Sequence, residues 1–235
     1  MLEFKLATKF APRSGKIRRA SKAGFEAAEI RLKKKRLENV EKVIEAISGY
    51  DFRFAPHFPN KGRLEKSHLE AFVHLYQELN SEVAVIHPPM LKAYGASLQS
   101  IASGSLVLAV ENGREQGHRL EKWAAENEFL TLDIEHLWKY ALADSSFRHF
   151  QDFLDHFIDK FGSKIRHIHM PGYHPGSEEH RPAYLNPELS RSVWRKLSRM
   201  NFKGLAVSEL DVNYQTTTHL KKDAALFLQW IETRD

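Results

Sequence analysis

Six short apolar runs in this chain each close on a histidine, an aspartate or a glutamate, and chemistry would collect where those ends meet. The runs finish as Phe54-Ala-Pro-His57, Val85-Ile-His87-Pro-Pro, Ala109-Val-Glu111-Asn112, Thr131-Leu-Asp133-Ile-Glu-His136, Arg166-His-Ile-His169 and Val207-Ser-Glu209. Carboxylate and imidazole together suit zinc, manganese, cobalt or iron. A mouth that gathers several carboxylates is costly unless a cation offsets their repulsion. A divalent metal is therefore expected, zinc or manganese first, with magnesium or cobalt as further candidates. The chain has no cysteine, which excludes thiolate metal sites, disulfides and cysteine nucleophiles. His167 stands two positions before His169 on an alternating strand, short of the strand end, and reads as structural. His68, His74, His118, His149, His156 and His219 fall on helices or helix starts and read as solvated.

The elements that must position these groups alternate in type along the chain. Strand candidates are Glu3 to Thr8, Ala27 to Leu32, Asp51 to Phe54, Val83 to Ile86, Leu106 to Val110, Leu130 to Ile134, Ile165 to Ile168 and Leu205 to Ser208. Helical spacing is found at Ser14 to Ala23, Leu37 to Ser48, Arg63 to Leu79, Leu91 to Ser103, Arg114 to Glu126, Asp144 to Phe161, Pro187 to Arg199 and Thr218 to Glu232. Gly24, Gly49, Gly104, Gly162 and Gly204 follow helices, where left-handed caps are expected. Eight alternations in 235 residues predict one domain over residues 1–235, a single (β/α)8 TIM barrel. The runner-up, an open doubly wound sheet, lacks both a Gly-x-Gly-x-x-Gly turn and a Walker-type loop. Met170 to Asn186, rich in proline and glycine, reads as a loop over the site.

The formal net charge is +5, with cations clustered at Lys16-Ile-Arg-Arg19 and Lys33-Lys-Lys-Arg36. Such clusters can hold phosphates or nucleic acid, but a solvated loop before a helix is the plainer reading. Arg13, Lys16 and Arg181 are loop cations able to hold a phosphate, again with a surface role as the plainer reading. Phe10, Phe58, Trp138 and Tyr173 follow strand ends and offer either an apolar wall to the site or ordinary packing. Neither a leader segment nor a run of roughly 20 apolar residues is found, so no membrane partner is expected and a cytoplasmic location fits.

The ordered motifs His-Pro (His87), Glu-Asn (Glu111), Leu-Asp-x-x-His (Asp133, His136), His-x-His (His169) and a final Glu (Glu209) resemble the xylose isomerase-like barrel superfamily, along essentially the whole chain. That superfamily includes sugar isomerases and epimerases and the endonuclease IV group of apurinic-site nucleases. The resemblance implies one divalent metal held by Glu111, Asp133, His169 and Glu209. It also implies that Glu111 and Glu209 exchange protons with substrate carbons while His136 contacts sugar oxygens. His57, His87, Trp138 and Arg181 complete the expected substrate contacts. The expected function is a metal-dependent isomerase or epimerase of a sugar, sugar phosphate or related polyol, working through a metal-stabilised ene-diolate. Its partner would be a small carbohydrate, and self-association is compatible with it.

The nuclease branch implies a three-metal cluster that adds His57, His87, His136 and His180, acting on abasic DNA. Here Glu178-Glu-His180 stands where that branch has Asp-x-His, and Met170-Pro171-Gly172 replaces the usual Asn-Asp after the strand-seven histidine. Connections close to the α/β minimum leave little loop for wrapping a duplex, which favours the isomerase. A binding barrel that keeps the mouth without turnover is the third reading.

Overall fold

The computed structural model describes residues 3–115 and 117–233. The expected domain bounds and the expected helix across Arg114 to Glu126 therefore include residues outside this description, namely Met1, Leu2, Gln116, Arg234 and Asp235. Eight parallel strands, β1 (Lys5–Phe10), β2 (Ala27–Arg31), β3 (Arg53–His57), β4 (Ala84–Ile86), β5 (Leu108–Glu111), β6 (Phe129–Asp133), β7 (Ile165–His169) and β8 (Leu205–Ser208), pair in sequence order. β8 returns to β1 through Lys5 to Thr8 against Leu205 to Ser208, which closes the barrel and rules out the open sheet.

Helices form the outer ring: α1 (Ser14–Lys22), α2 (Lys34–Leu37), α3 (Val40–Ser48), α4 (Lys66–Glu78), α5 (Pro88–Ile101), α6 (His118–Glu126), α7 (Ile134–His136), α8 (Phe147–Phe161), α9 (Pro187–Arg199) and α10 (Thr217–Thr233). α7 runs directly into a π-helical turn, Leu137–Ala141, that the sequence pattern did not predict.

Strand alternation sorts the side chains. One set of small and branched residues, Ala7, Ala27, Ala55, Val83, Ala109, Leu205 and Val207, fills the barrel interior. Their neighbours, such as Leu6, Ala28, Phe54, Leu108 and Ala206, face the helices and join the larger outer core. The interior alanines leave room, and two residues further along, at the C-terminal ends, the same inward phase carries Lys9, Glu29, His57, Glu111 and Glu209.

Helix starts follow local chemistry. Asn186 caps α9 by accepting from the Leu189 amide at 3.2 Å, with Pro187 in the first turn, and Ser146 caps α8 through the His149 amide at 3.3 Å. Several helices begin later than the apolar period alone predicts: α4 at Lys66, α6 at His118 and α8 at Phe147. The expected Leu37 to Ser48 helix is two pieces, broken after Leu37. Of the five cap glycines, only Gly24 and Gly104 adopt positive φ, at 93° and 77°. Gly204 has another reason to be glycine, because a Cβ there would lie 2.1 Å from the Arg166 carbonyl oxygen.

Candidate metal centre

Neighbouring strand ends deliver their polar groups to one point. Lys9 stands opposite Glu29 in the β1–β2 register, and Asp133 stands opposite His169 in β6–β7. Four donor atoms from Glu111, Asp133, His169 and Glu209 all lie within 4.8 Å of one another. All four residues belong to the expected ligand set, and they come from the ends of β5 to β8.

In three of them one end is held by a neighbouring group while the other turns toward the remaining ligands. Asp133 Oδ1 accepts from the His136 amide at 2.9 Å. His169 Nε2 donates to Glu29 Oε2 at 2.7 Å, and Glu209 Oε1 accepts from Lys9 Nζ at 2.8 Å. The opposite atoms turn toward one another: His169 Nδ1 lies 2.9 Å from Glu209 Oε2, 3.4 Å from Glu111 Oε1 and 3.7 Å from Asp133 Oδ2. Asp133 Oδ2 and Glu111 Oε2 have no hydrogen-bond partner among the described residues. Buried polar atoms are rarely left unsatisfied. Three carboxylates gathered around one buried imidazole nitrogen fit a divalent cation. The Glu29 contact fixes the His169 tautomer as a second-sphere carboxylate does at a metal-ligating histidine.

Asn112, the second residue of the Glu-Asn motif, locks the β5–β6 geometry. Its side chain accepts from the Asp133 amide at 2.6 Å and donates to the Asp133 carbonyl at 3.1 Å, while its own carbonyl accepts from His136 Nδ1 at 2.9 Å.

Lys9 is the resident cation of the mouth, buried between Glu29 at 2.9 Å and Glu209 at 2.8 Å. Burial works against its charge, but Glu209 and Glu29 raise its pKa above the usual lysine range. Burial alone would raise the carboxyls as well. Lys9 and His169 hold Glu209 well below the ordinary range, and His169 and Lys9 do the same for Glu29. Four carboxyl groups against one lysine leave an excess of negative charge, which draws a proton onto His169 against its burial. A divalent cation would take over that role and release His169 as a neutral ligand.

His57 and His87 both face Glu111 Oε2, at 3.7 Å and 3.5 Å, and their rings lie 5.1 Å apart. His57 Nδ1 donates to Glu29 Oε1 at 2.6 Å, and burial together with Lys9 lowers its pKa to about 4. His57, Glu111 and His169 form a second potential ligand group that overlaps the first. His136 sits beside Asp133 at the rim, its Nδ1 3.6 Å from Oδ2. His180 is half-buried at φ 55°, and its amide donates to Glu135 Oε2 at 2.9 Å. It joins none of the potential ligand groups found among the described residues. Arg181 is half-buried next to it, with its carbonyl accepting from Gly172.

Several expectations change on packing grounds. Trp138 is 3% exposed, stacked on Phe150, with its indole N–H on the Ser145 carbonyl, so its face is used up in the core. Phe10, Phe58 and Tyr173 are buried likewise, which leaves no apolar wall for a sugar from these four. His68 is buried rather than solvated, because its Nδ1 accepts from the Glu65 amide in a capping box. His167 lies inside the barrel, with its Nε2 on Glu29 Oε2 at 2.7 Å.

Lys9, Glu29 and Glu135 were not singled out by sequence reasoning. For Lys9 and Glu29 part of the signal was available, since each lies two residues after an inward alanine of its strand, but Lys5 and Arg31 share those strands and blunt the contrast. Glu135, in α7, is fully buried, and burial followed by Asp133 pushes its pKa up to about 8.

No protein-family model matches the sequence, and no curated protein matches it. Solved structures do match. A D-tagatose 3-epimerase-like protein aligns with TM-score 0.61 at 15% identity, covering 97% of each chain. An L-ribulose 3-epimerase gives 0.57 at 12% identity, over 98% of this chain and 95% of its own. A D-allulose 3-epimerase from Methylomonas sp., solved with D-allulose, gives 0.63 at 13% identity over 100% and 98%. The chain has the fold of these sugar epimerase barrels, the fold that the resemblance to xylose isomerase-like proteins implied.

Proposed function

We propose that this barrel is a metal-dependent isomerase or epimerase of a sugar, sugar phosphate or related polyol. The observation that carries the reading is the convergence of one donor atom each from Glu111, Asp133, His169 and Glu209, all within 4.8 Å of one another at the barrel mouth. The likeness in fold to solved sugar 3-epimerase barrels supports it. When bound, a divalent cation there would polarise a carbonyl and its neighbouring hydroxyl, making the α-proton removable. In this reading Glu111 and Glu209 take and return that proton. Glu209 is the more open of the two, its side chain 15% exposed against 4% for Glu111. Lys9 on Oε1 keeps the Glu209 carboxylate oriented, while Asn112 and the His136 amide hold Asp133.

The test is elemental analysis of untagged protein purified without added metal, followed by incubation with ketoses, aldoses and cyclic polyol ketones in deuterated water. One metal per chain and deuterium at the carbon next to the carbonyl are expected. A metal-loaded sample that leaves the whole panel unchanged, with no deuterium incorporated, would sink the reading.

A second reading, phosphodiester hydrolysis at abasic DNA, draws on one observation: His57 and His87 both face Glu111 and could bring a further metal to it. It requires two or three metals per chain and nicking of a duplex carrying one abasic site. Loss of one metal in His87→Ala would mark it.

A further inference from the structure

Beside the ligand cluster, a groove with a cavity volume of about 780 Å³ opens between the segments that follow β1, β2 and β8. Its cations are Arg13 and Lys16 after β1, Arg31 at the end of β2, Lys33, Lys35 and Arg36 just beyond it, and Lys42 of α3. None of these seven is in an ion pair among the described residues. The acids lining the groove are Glu209 and Asp211. Glu209 is already engaged by Lys9, and Asp211 Oδ1 accepts from the Asn213 amide. Glu209 and His180 form the end of the groove at the barrel mouth, so a ligand lying in it reaches the candidate metal centre.

The basic wall is held in place. Lys16 Nζ donates to Gln215 Oε1 at 3.0 Å, and Arg19 donates to the Gln215 carbonyl at 2.6 Å, which ties α1 to the segment after β8. Burial, then Arg19 and Arg13, lowers the Lys16 pKa, a repulsion that a bound anion would relieve.

We propose that this groove binds the phosphate monoester of a phosphorylated sugar or polyol whose carbonyl end reaches Glu111, Asp133, His169 and Glu209. Guanidinium forks and lysine ammonium groups match the oxygens of a phosphate dianion. The mouth, with its excess of carboxylates, repels the same dianion. A sugar phosphate is therefore sorted end from end, its phosphate in the groove and its carbonyl over the ligand cluster.

The reaction in this proposal rests on the isomerase reading, but the binding chemistry does not, so the experiment reads binding. Calorimetric titration of the metal-loaded protein would use inorganic phosphate, D-ribulose, D-ribulose 5-phosphate and a single-stranded oligonucleotide. The phosphorylated ketose should bind at least roughly tenfold more tightly than the free one, with inorganic phosphate competing. The double variant Lys33→Gln with Arg36→Gln, the first exposed just before α2 and the second half-buried within it, should abolish most of that preference, while Lys122→Gln on α6 should leave it intact. Equal binding of the two ketoses would overturn the proposal. So would phosphate binding that ignores the groove substitutions, an adventitious ion only. Tight, steeply salt-dependent oligonucleotide binding that no monoester displaces would overturn it in favour of nucleic acid. Groove-dependent monoester binding in a protein that exchanges no deuterium into any ketose would uphold the groove and sink the isomerase reading.

Discussion

Glu209 uses its two oxygens differently: Oε1 accepts from Lys9, and Oε2 faces His169 Nδ1 at 2.9 Å. An amide in its place keeps the shape but cannot accept a proton, so Glu209→Gln should lower solvent-deuterium exchange by about 10²–10⁴-fold. Mass spectrometry of the recovered ketose would measure this, and undiminished exchange would remove Glu209 from the proton path. Glu29 acts through His169 rather than on substrate, which makes it a positioning residue. Glu29→Gln should weaken metal affinity about 10–100-fold in a chelator competition, with the circular dichroism of the barrel unchanged. Unaltered affinity would leave Glu29 a structural partner of Lys9 and the histidines. At this scale the sequence displayed the donors, because histidines and acids after apolar runs stand out. It did not show what Lys9 and Glu29 do, because they meet only across the β1–β2 register.

Among the elements, the segment after β7 shows how a loop becomes fixed. The Gly172 amide donates to the Arg181 carbonyl at 2.7 Å, and a Cβ on Gly172 would sit 1.9 Å from the Pro182 carbonyl oxygen. The loop is pinned further out as Glu179 accepts from Lys139 and from Tyr140, which hold its carboxyl down to about 2. Gly172→Ala must part the two strands of the loop, at a cost of about 1–3 kcal/mol. Amide exchange across residues 171–183 should speed up while β1 to β8 stay protected. Unchanged protection there would mean that the close approach is relieved without opening the loop. Strands and most helices were legible from their periods of two and 3.6. Helix starts at Lys66, His118 and Phe147, and the π-helical turn, were not, since capping and packing decide them rather than the apolar period.

Across the whole molecule, Asp223 joins α10 to β8 and to the end of the β7 loop. It accepts from Ser208 Oγ and from the Tyr184 amide at 2.9 Å, fully buried. Burial raises its pKa from 3.8 to about 6 despite these donors. Between those values the native state binds more protons than the unfolded chain, so this group's contribution is present below pH 4 and is lost as pH rises through 6. The loss amounts to about 3 kcal/mol. Urea unfolding at a series of pH values should show that decline in the wild type relative to Asp223→Asn, and parallel profiles would refute the assignment.

The sequence by itself determined the alternation of eight strands with helices and the polar residues that end the strands, because local period, turn residues and isolated charges are written in the order of the chain. Only the tertiary structure decided that Lys9 and Glu29 complete the mouth, that Trp138 and its aromatic neighbours are core, and that separate runs of cations share one groove. The physical reason is that barrel closure and strand register fix which side chains meet, and neither is a property of any one segment.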